Sequence, residues 1–158
     1  MFVVIRALTY AAFFVGFVLV VLPSRMLSQA GIVRPPASGA LQIIGVSVVV
    51  VGGVPALWCI ATFALVGKGT PAPFDPPRRL VIQGPYRVVR NPMYVGAALA
   101  LGGAAVVYQS LSLLGYAGLF VVLAHAVVGW YEEPTLRKTF GREYDEYCAR
   151  VERWRPRV

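Results

Sequence analysis

The sequence predicts an all-α integral membrane protein with about four transmembrane helices and a C-terminal amphipathic helix at the membrane surface. Three observations lead there. Of 158 residues, 58% are hydrophobic and 14% charged, with a mean hydropathy of +0.67, against about 25% charged residues in an ordinary soluble domain. Four apolar runs approach the roughly 20 residues that cross a hydrocarbon core. The basic residues border those runs instead of forming a separate face, so the net charge of +8 is no nucleic-acid footprint. Two cysteines cannot staple a disulfide scaffold, and so apolar a chain is not intrinsically disordered.

Phe2 to Leu22 is the first run. It is long and no A-x-A-like site follows, so it is expected to remain as a span and not to be removed as a signal peptide. Pro23 is expected to end it, and Arg25, Arg34 and Pro35-Pro36 mark a short polar connection. Leu41 to Val66 is the second run, with Gly52-Gly53 and Pro55 inside it, and a tilt or kink takes up its excess length. Glycine, proline and arginine then dominate a long loop, a length that often marks a functional segment. Pro92 suits a first helical turn, and the third run, Tyr94 to Val107, carries Gly96, Gly102 and Gly103, which permit close helix contact. Their small faces pack either within the chain or against a second copy, as a homo-oligomer. Gln109, Ser110 and Ser112 interrupt the pattern before the fourth run, Leu113 to Tyr131. After Glu132-Glu133-Pro134, the apolar residues Leu136, Phe140, Tyr144, Tyr147 and Val151 recur at helical steps, with Gly141 as a break.

The chain thus reads as one membrane domain: two N-terminal spans in 1–66, a motif loop in 67–93, a helical hairpin in 94–131 and an interfacial tail in 132–158. Thirteen of the fifteen Lys and Arg residues fall on the side of the termini and the long loop, leaving Arg25 and Arg34 opposite, and every acidic residue joins the larger group. The positive-inside rule places both termini and the site in the cytoplasm of a multi-pass protein of the cell inner membrane. A disulfide between Cys59 and Cys148 is not expected there.

Chemistry concentrates on that face. Gly84-Pro85-Tyr86-Arg87-Val88-Val89-Arg90-Asn91-Pro92-Met93-Tyr94-Val95-Gly96 precedes the third span, Glu132-Glu133 follows the fourth, and Tyr144 to Arg157 forms the tail. The ends of a hairpin are neighbours, so Arg87 and Arg90 can approach Glu132 and Glu133. An ion-pair latch with positive-inside anchoring accounts for most of the charges. A small-molecule pocket also accounts for the tyrosines and the paired glutamates: arginine forks suit carboxylates, carboxylates suit ammonium, ribose hydroxyls or a sulfonium, and tyrosines stack on a flat heterocycle. His125, the single histidine, lies about two turns before Glu132 on one helix face. It is either a site residue or a neutral histidine bonded to a neighbouring helix. One histidine and two dispersed cysteines offer no zinc spacing, and no Walker or G-x-G-x-x-G loop occurs.

At these residues the chain resembles the isoprenylcysteine carboxyl methyltransferase family and its bacterial relatives, which share a C-terminal half with phospholipid N-methyltransferases. The resemblance runs from about residue 68 to 157 and rests on three blocks in fixed order: GPYRVVRNPMYVG, a hairpin, and YEEPTLRKTFGREYDEYCARVERWRPR. It implies that Arg90, Asn91, Pro92, Tyr94 and Gly96, with the Glu-Glu pair and the aromatic tail, enclose S-adenosylmethionine at the cytoplasmic membrane face. Glu132 and Glu133 would contact the cofactor and Arg150 would lie near the acceptor. With the tyrosines and the histidine added, the expected cofactor set is Tyr86, Arg90, Asn91, Pro92, Tyr94, Gly96, His125, Tyr131, Glu132, Glu133, Tyr144 and Tyr147. The expected catalytic set is Arg87, Arg90, Glu133 and Arg150. Asn91 replaces the histidine of the eukaryotic enzymes, and Glu152 stands where the common Arg-Val-Pro has proline, both of which bear on acceptor choice.

The resulting expectation is a membrane methyltransferase acting on a hydrophobic or lipid-like acceptor with a carboxylate or an amine. Membrane lipids are its surroundings and nucleic acid is no partner. A carboxylate needs orienting by Arg87 or Arg150, whereas an amine needs a base such as Glu133 or His125. Membrane sterol and steroid reductases, which bind a reduced nicotinamide cofactor, share the layout of the C-terminal half, but the paired glutamates argue against them. A lipid-binding scaffold would tolerate glutamine at both glutamates.

Overall fold

The computed structural model describes residues 13–36, 39–62 and 79–157. The first eleven residues of the Phe2–Leu22 run and the proline-rich part of the loop, 63–78, lie outside the described residues. Every regular element among those described is helical. A π-helical stretch, Phe14–Val21, leads into α1 (Leu22–Gln29); α2 (Ala40–Thr62) follows, then a 3₁₀ turn (Gly84–Arg87), α3 (Pro92–Tyr108) and α4 (Leu111–Val127). A π turn (Val128–Glu132) joins α4 to α5 (Glu133–Phe140), and α6 (Arg142–Arg150) closes the helical part of the tail.

Among the described residues, two helices are long and apolar enough to cross a membrane: α2, and the continuous helix Leu111–Phe140 of 30 residues. At 1.5 Å per residue the latter is about 45 Å long, half as long again as a ~30 Å hydrocarbon core. Starting from Leu111, the hydrocarbon is traversed near Trp130, which is 85% exposed and suits an aromatic belt. Glu132 and Glu133 therefore fall just past the apolar layer. α3 and the Val15–Gln29 helix are apolar but shorter.

Pro23, expected to end its helix, does not. Pro23 lies within the first turn of α1, directly after the π-helical stretch, and the helix runs on to Gln29 before Gly31 turns it with φ +72°. Pro134 likewise enters α5 just behind the π turn. A widened turn has already given up the i→i−4 bond whose donor proline lacks, so the ring interrupts nothing more. The helix that carries the fourth apolar run consequently does not stop at Tyr131 but continues into the tail. Pro55 is carried inside α2.

The α3–α4 connection is two residues long. Gln109 takes the left-handed conformation (φ 49°), and the amides of Gln109 and Ser110 donate back to Val106 (3.2 Å) and Ala105 (3.0 Å). This is a Schellman closure made with glutamine where glycine is usual. The Ser110 hydroxyl then caps α4 by accepting from the Leu113 amide at 3.3 Å. Ala97 and Leu101 of α3 meet Ala117, Phe120 and Ala124 of α4 in the hairpin core, with Val18 and Leu19 of the first helix against them. The Tyr116 hydroxyl ties that helix down by donating to the Val18 carbonyl at 2.9 Å.

α2 packs on α3 through glycines. A Cβ at Gly52 would stand 2.5 Å from the Gly96 carbonyl oxygen, and one at Gly45 would stand 2.8 Å from that of Gly103. The two pairs are seven residues apart on each antiparallel helix, forming two rungs of one seam. These small residues serve a contact inside the chain, and Gly96, expected beside a cofactor, is buried in that contact. Gly102, one position away, has nothing within 4 Å of a built Cβ.

Gly52→Ala and Gly96→Ala are therefore expected to destabilise the detergent-solubilised protein by about 1–3 kcal/mol each through overpacking. Gly102→Ala serves as the neutral comparison, and unfolding in graded denaturing detergent reads all three.

Candidate functional site

The neighbouring ends of α3 and of the helix that continues α4 carry the site, and their geometry follows from helix periodicity. Arg90 stands just before α3 and Tyr94 one turn inside it, so both side chains face the end of the neighbouring helix. Opposite them are the adjacent residues Glu132 and Glu133. The Tyr94 hydroxyl donates to Glu132 Oε1, and Arg90 Nη1 stands 3.2 Å from Glu133 Oε1. Tyr94 is also packed against the Phe120 ring, with centroids 6.4 Å apart.

Glu133 is buried, and two guanidinium groups hold it. Besides Arg90, Arg153 forms a fork on it: Nε donates to Oε1 at 2.8 Å and Nη2 to Oε2 at 2.7 Å. Such bidentate geometry fixes the plane of the carboxylate as well as its position. The carboxylate beside Arg153 raises the pKa of that guanidinium further. Arg90 Nη1 also stands 2.6 Å from Cys148 Sγ. Its Nε is buried and has no hydrogen-bond partner among the described residues. A buried donor without a partner is rare in a folded chain and points to a group that arrives from outside.

The tail reaches this place through backbone pairing. α6 ends at Arg150 and Val151 is extended; the Arg90 amide then donates to the Glu152 carbonyl at 2.9 Å, and the Asn91 side chain donates to the Arg153 carbonyl at 3.3 Å. Asn91 thus fastens the tail with its amide while its own carbonyl accepts the Val95 amide at 3.2 Å in the first turn of α3. Pro92 begins that turn without loss, since its missing N–H has no intrahelical acceptor there. Position 152 contributes only its carbonyl to this pairing, which proline would supply equally. The Glu152 side chain turns instead to Arg155 at 2.9 Å, whose hydrogen bond lowers the carboxyl pKa.

Trp154 continues the strap. Its indole N–H donates to His125 Nδ1 at 3.2 Å, with the two rings stacked 5.9 Å apart. The proton of a neutral His125 ring is thereby placed on Nε2. His125, Gly129 and Glu133 recur every fourth residue along one face, and a Cβ at Gly129 would come within 3.9 Å of Arg153 Nη1. The bare glycine leaves a shallow trough between the histidine and the clamped glutamate.

The remaining expected residues are placed as follows. Tyr144 and Tyr147 are 2% and 3% exposed and form the core of a small lobe with Val151, Leu80 and Ile82. The apolar side of α6 is thus covered by the chain itself. The Tyr147 hydroxyl donates to the Tyr86 carbonyl at 2.6 Å, and Tyr86, buried against Cys59 and Val81, links the lobe to α2. Burial raises the pKa of Tyr86, Tyr144 and Tyr147 alike, so their hydroxyls remain protonated donors. Tyr131 is 46% exposed. Arg87 and Arg150 are exposed on the rim, and the Arg150 Nε is turned to its own helix at the Glu146 carbonyl, 3.3 Å away. Sequence reasoning missed Arg153, Trp154 and Gly129. Arg153 and Trp154 lie in non-helical chain, where periodicity assigns no facing; the four-residue step His125, Gly129, Glu133 was the signal available for the glycine.

Fold and site together define a helical membrane protein with an arginine–glutamate–tyrosine cluster at the polar end of a hairpin. A family model described as phospholipid methyltransferase matches residues 41–143, and the chain belongs to that family, whose members are methyltransferases. It is also 30% identical over 121 residues to the nickel-cobalt-cadmium resistance protein NccN of Alcaligenes xylosoxydans xylosoxydans, an alignment covering 77% of this chain and 52% of the relative. The chain thus spans about half the length of that relative. No solved structure matches.

Tyr147→Phe is expected to cost about 1–3 kcal/mol, because it strands a buried carbonyl at Tyr86. Thermal unfolding of the purified protein checks this, with faster hydrogen exchange expected over residues 84–87.

Proposed function

We propose that this membrane methyltransferase takes its methyl group from S-adenosylmethionine and passes it to a hydrophobic or lipid-like acceptor at the cytoplasmic face of the cell inner membrane. The observation that carries the reading is the pairing of unlike groups at the rim. Arg90 offers a buried Nε without a partner among the described residues, and Glu132 has the neutral Tyr94 hydroxyl as its hydrogen-bond partner, with no guanidinium on it among those residues. One suits a carboxylate and the other an ammonium or sugar hydroxyl, which are the two ends of an amino-acid-bearing nucleoside. The residues present fit that cofactor. When bound, it supplies an electrophilic methyl group on a sulfonium.

What the chain contributes is placement and exclusion of water. Arg90 and Glu132 hold the polar ends of the donor, Tyr94 fixes the Glu132 carboxylate, and the strap of Arg153 and Trp154 covers the trough at Gly129. Transfer is an in-line displacement in which the acceptor's lone pair forms the new bond to carbon as the carbon–sulfur bond breaks. The expected bases are both engaged. Glu133 is held by two guanidiniums, and His125 Nδ1 already accepts from Trp154 while Nε2 carries the ring proton. An acceptor that needs no deprotonation fits better than an amine, so we read the acceptor as a carboxylate on an apolar tail. To Arg87 and Arg150, both exposed, we assign the orienting of its charge.

Calorimetric titration of the purified protein with S-adenosylhomocysteine, with NADPH as comparison, tests the donor. S-adenosylhomocysteine is expected to bind and NADPH not to; Glu132→Gln is expected to weaken binding roughly 10- to 100-fold, the worth of a charge-assisted hydrogen bond. Binding of NADPH instead would put a reductase in its place.

A further inference from the structure

The tail runs down one face of the long helix. Arg153 meets Glu133 and Gly129, and the next residue, Trp154, meets His125. Arg153 engages Glu133 through Nε and Nη2, and its remaining nitrogen, Nη1, is the atom that stands 3.9 Å from a built Cβ at Gly129. No other group from outside that helix comes within 4 Å of this Cβ among the described residues, so the space over the glycine is open. His125 is oriented by its neighbour. An indole N–H can only donate, so Nδ1 accepts from Trp154 at 3.2 Å, and the neutral ring carries its proton on Nε2, the nitrogen turned away from the tryptophan. Trp154 is itself packed on the hairpin core, as Tyr94 is, which holds the imidazole in place. The bare backbone at Gly129 therefore lies between two N–H donors, one of them cationic.

Positions 125 and 129 are about 6 Å apart along the helix, a span that one carboxylate covers with a hydrogen bond on each oxygen. His125 is exposed and stands five residues inside Trp130, about 7 Å within the apolar layer, where an N–H without a partner is costly. Val121, one turn further in on the same face, is 50% exposed. The polar trough thus opens at its inner end onto an apolar surface. We propose that the trough over Gly129 seats the acceptor, its carboxylate between Arg153 Nη1 and His125 Nε2–H and its apolar tail along Val121 into the bilayer. This rests on the donor reading above and adds the acceptor's place to it; Arg87 and Arg150 act on the charge as it nears the rim. An ammonium head would face two donors and a positive charge, so the seat selects acids over amines. A carboxylate oxygen that accepts one hydrogen bond keeps a lone pair. That pair forms the new bond to the methyl carbon as the carbon–sulfur bond breaks, leaving a methyl ester and a thioether. The ester is uncharged, so Arg153 holds it less firmly than the acid and the product returns to the lipid.

The test uses tetradecanoate labelled with carbon-13 at the carboxyl, added to the full chain in detergent micelles with and without S-adenosylhomocysteine. The carboxyl resonance is followed by NMR against protein-free micelles, which separates seating of the head from partition of the tail. The wild type is expected to shift the signal saturably, and tetradecylamine is expected not to compete. Gly129→Ala is the decisive variant, because its methyl group makes ordinary contact with Arg153 Nη1 and fills the trough without breaking the clamp. It is expected to weaken the acid roughly tenfold or more, the scale of a hydrogen bond to a charged group, with thermal stability and S-adenosylhomocysteine affinity unchanged. His125 is tested by a pair. Glutamine carries an N–H near the place of Nε2 and is expected to retain binding, whereas asparagine carries an oxygen near that of Nδ1, keeps the tryptophan bond and is expected to lose the acid. A merely structural histidine reverses that order and overturns the proposal. So does an absent saturable shift, competition by the amine, wild-type binding by Gly129→Ala, or a loss in Arg150→Ala in place of Gly129→Ala. Acid binding that Gly129→Ala weakens, in a protein that does not bind S-adenosylhomocysteine, shows that the donor reading has failed while the anion seat stands.

Discussion

A buried carboxylate at the edge of a membrane must be paired, because an isolated charge there costs several kcal/mol. Glu133 meets that demand with two arginines from separate stretches of the sequence, one before α3 and one after α6. The motif loop, the hairpin and the tail are thereby committed to a single arrangement. Removing one partner leaves a buried charge poorly compensated, so none of the three segments can take another position cheaply. The neighbouring Glu132 sits at the same height with a tyrosine, and no guanidinium among the described residues, opposite it, and the contrast between two adjacent carboxylates gives the rim its chemical direction.

The clamp has something firm to act on because the helices beneath it approach at backbone distance. Lipid offers no hydrophobic drive for helix association, so close packing and weak polar contacts must supply it. Gly45 with Gly103 and Gly52 with Gly96 provide two points of approach seven residues apart. The second lies just below Tyr94, so the seam fixes the depth of α3 and with it the height at which Arg90 and Tyr94 meet the glutamates. Above the membrane, Tyr144 and Tyr147 fill a lobe joined to the 3₁₀ turn by the Tyr147–Tyr86 hydrogen bond. The seam and the lobe grip the same segment from below and above.

Much of this was legible in the sequence. The second span, the start at Pro92, the polar break at Gln109-Ser110 and the glycine break at Gly141 all follow from hydropathy and from backbone rules for proline and glycine. Pairing of the Arg90 and Glu132-Glu133 clusters follows from a hairpin having neighbouring ends. The π turns were not legible: proline reads as a stop only if the preceding helix has α geometry, and nothing in Gly129-Trp130-Tyr131 announces the wider turn. Tyr144 and Tyr147 show why amphipathic spacing is incomplete information. It reveals which face of a helix is apolar but not whether lipid, ligand or the chain's own Leu80 and Ile82 covers it. Arg153 lay beyond reach because it follows an extended Val151, and side-chain facing in such a segment is set by the backbone pairing of residues 90 and 91 with residues 152 and 153.

The order of synthesis gives the clamp a temporal side. Chains emerge from the ribosome N-terminus first, so the helix bearing Glu133 is made and can enter the bilayer before Arg153 exists. Until then the carboxylate has Arg90 alone. Arrival of the tail supplies its second guanidinium, so the clamp is complete only after the helix that bears Glu133 has been made.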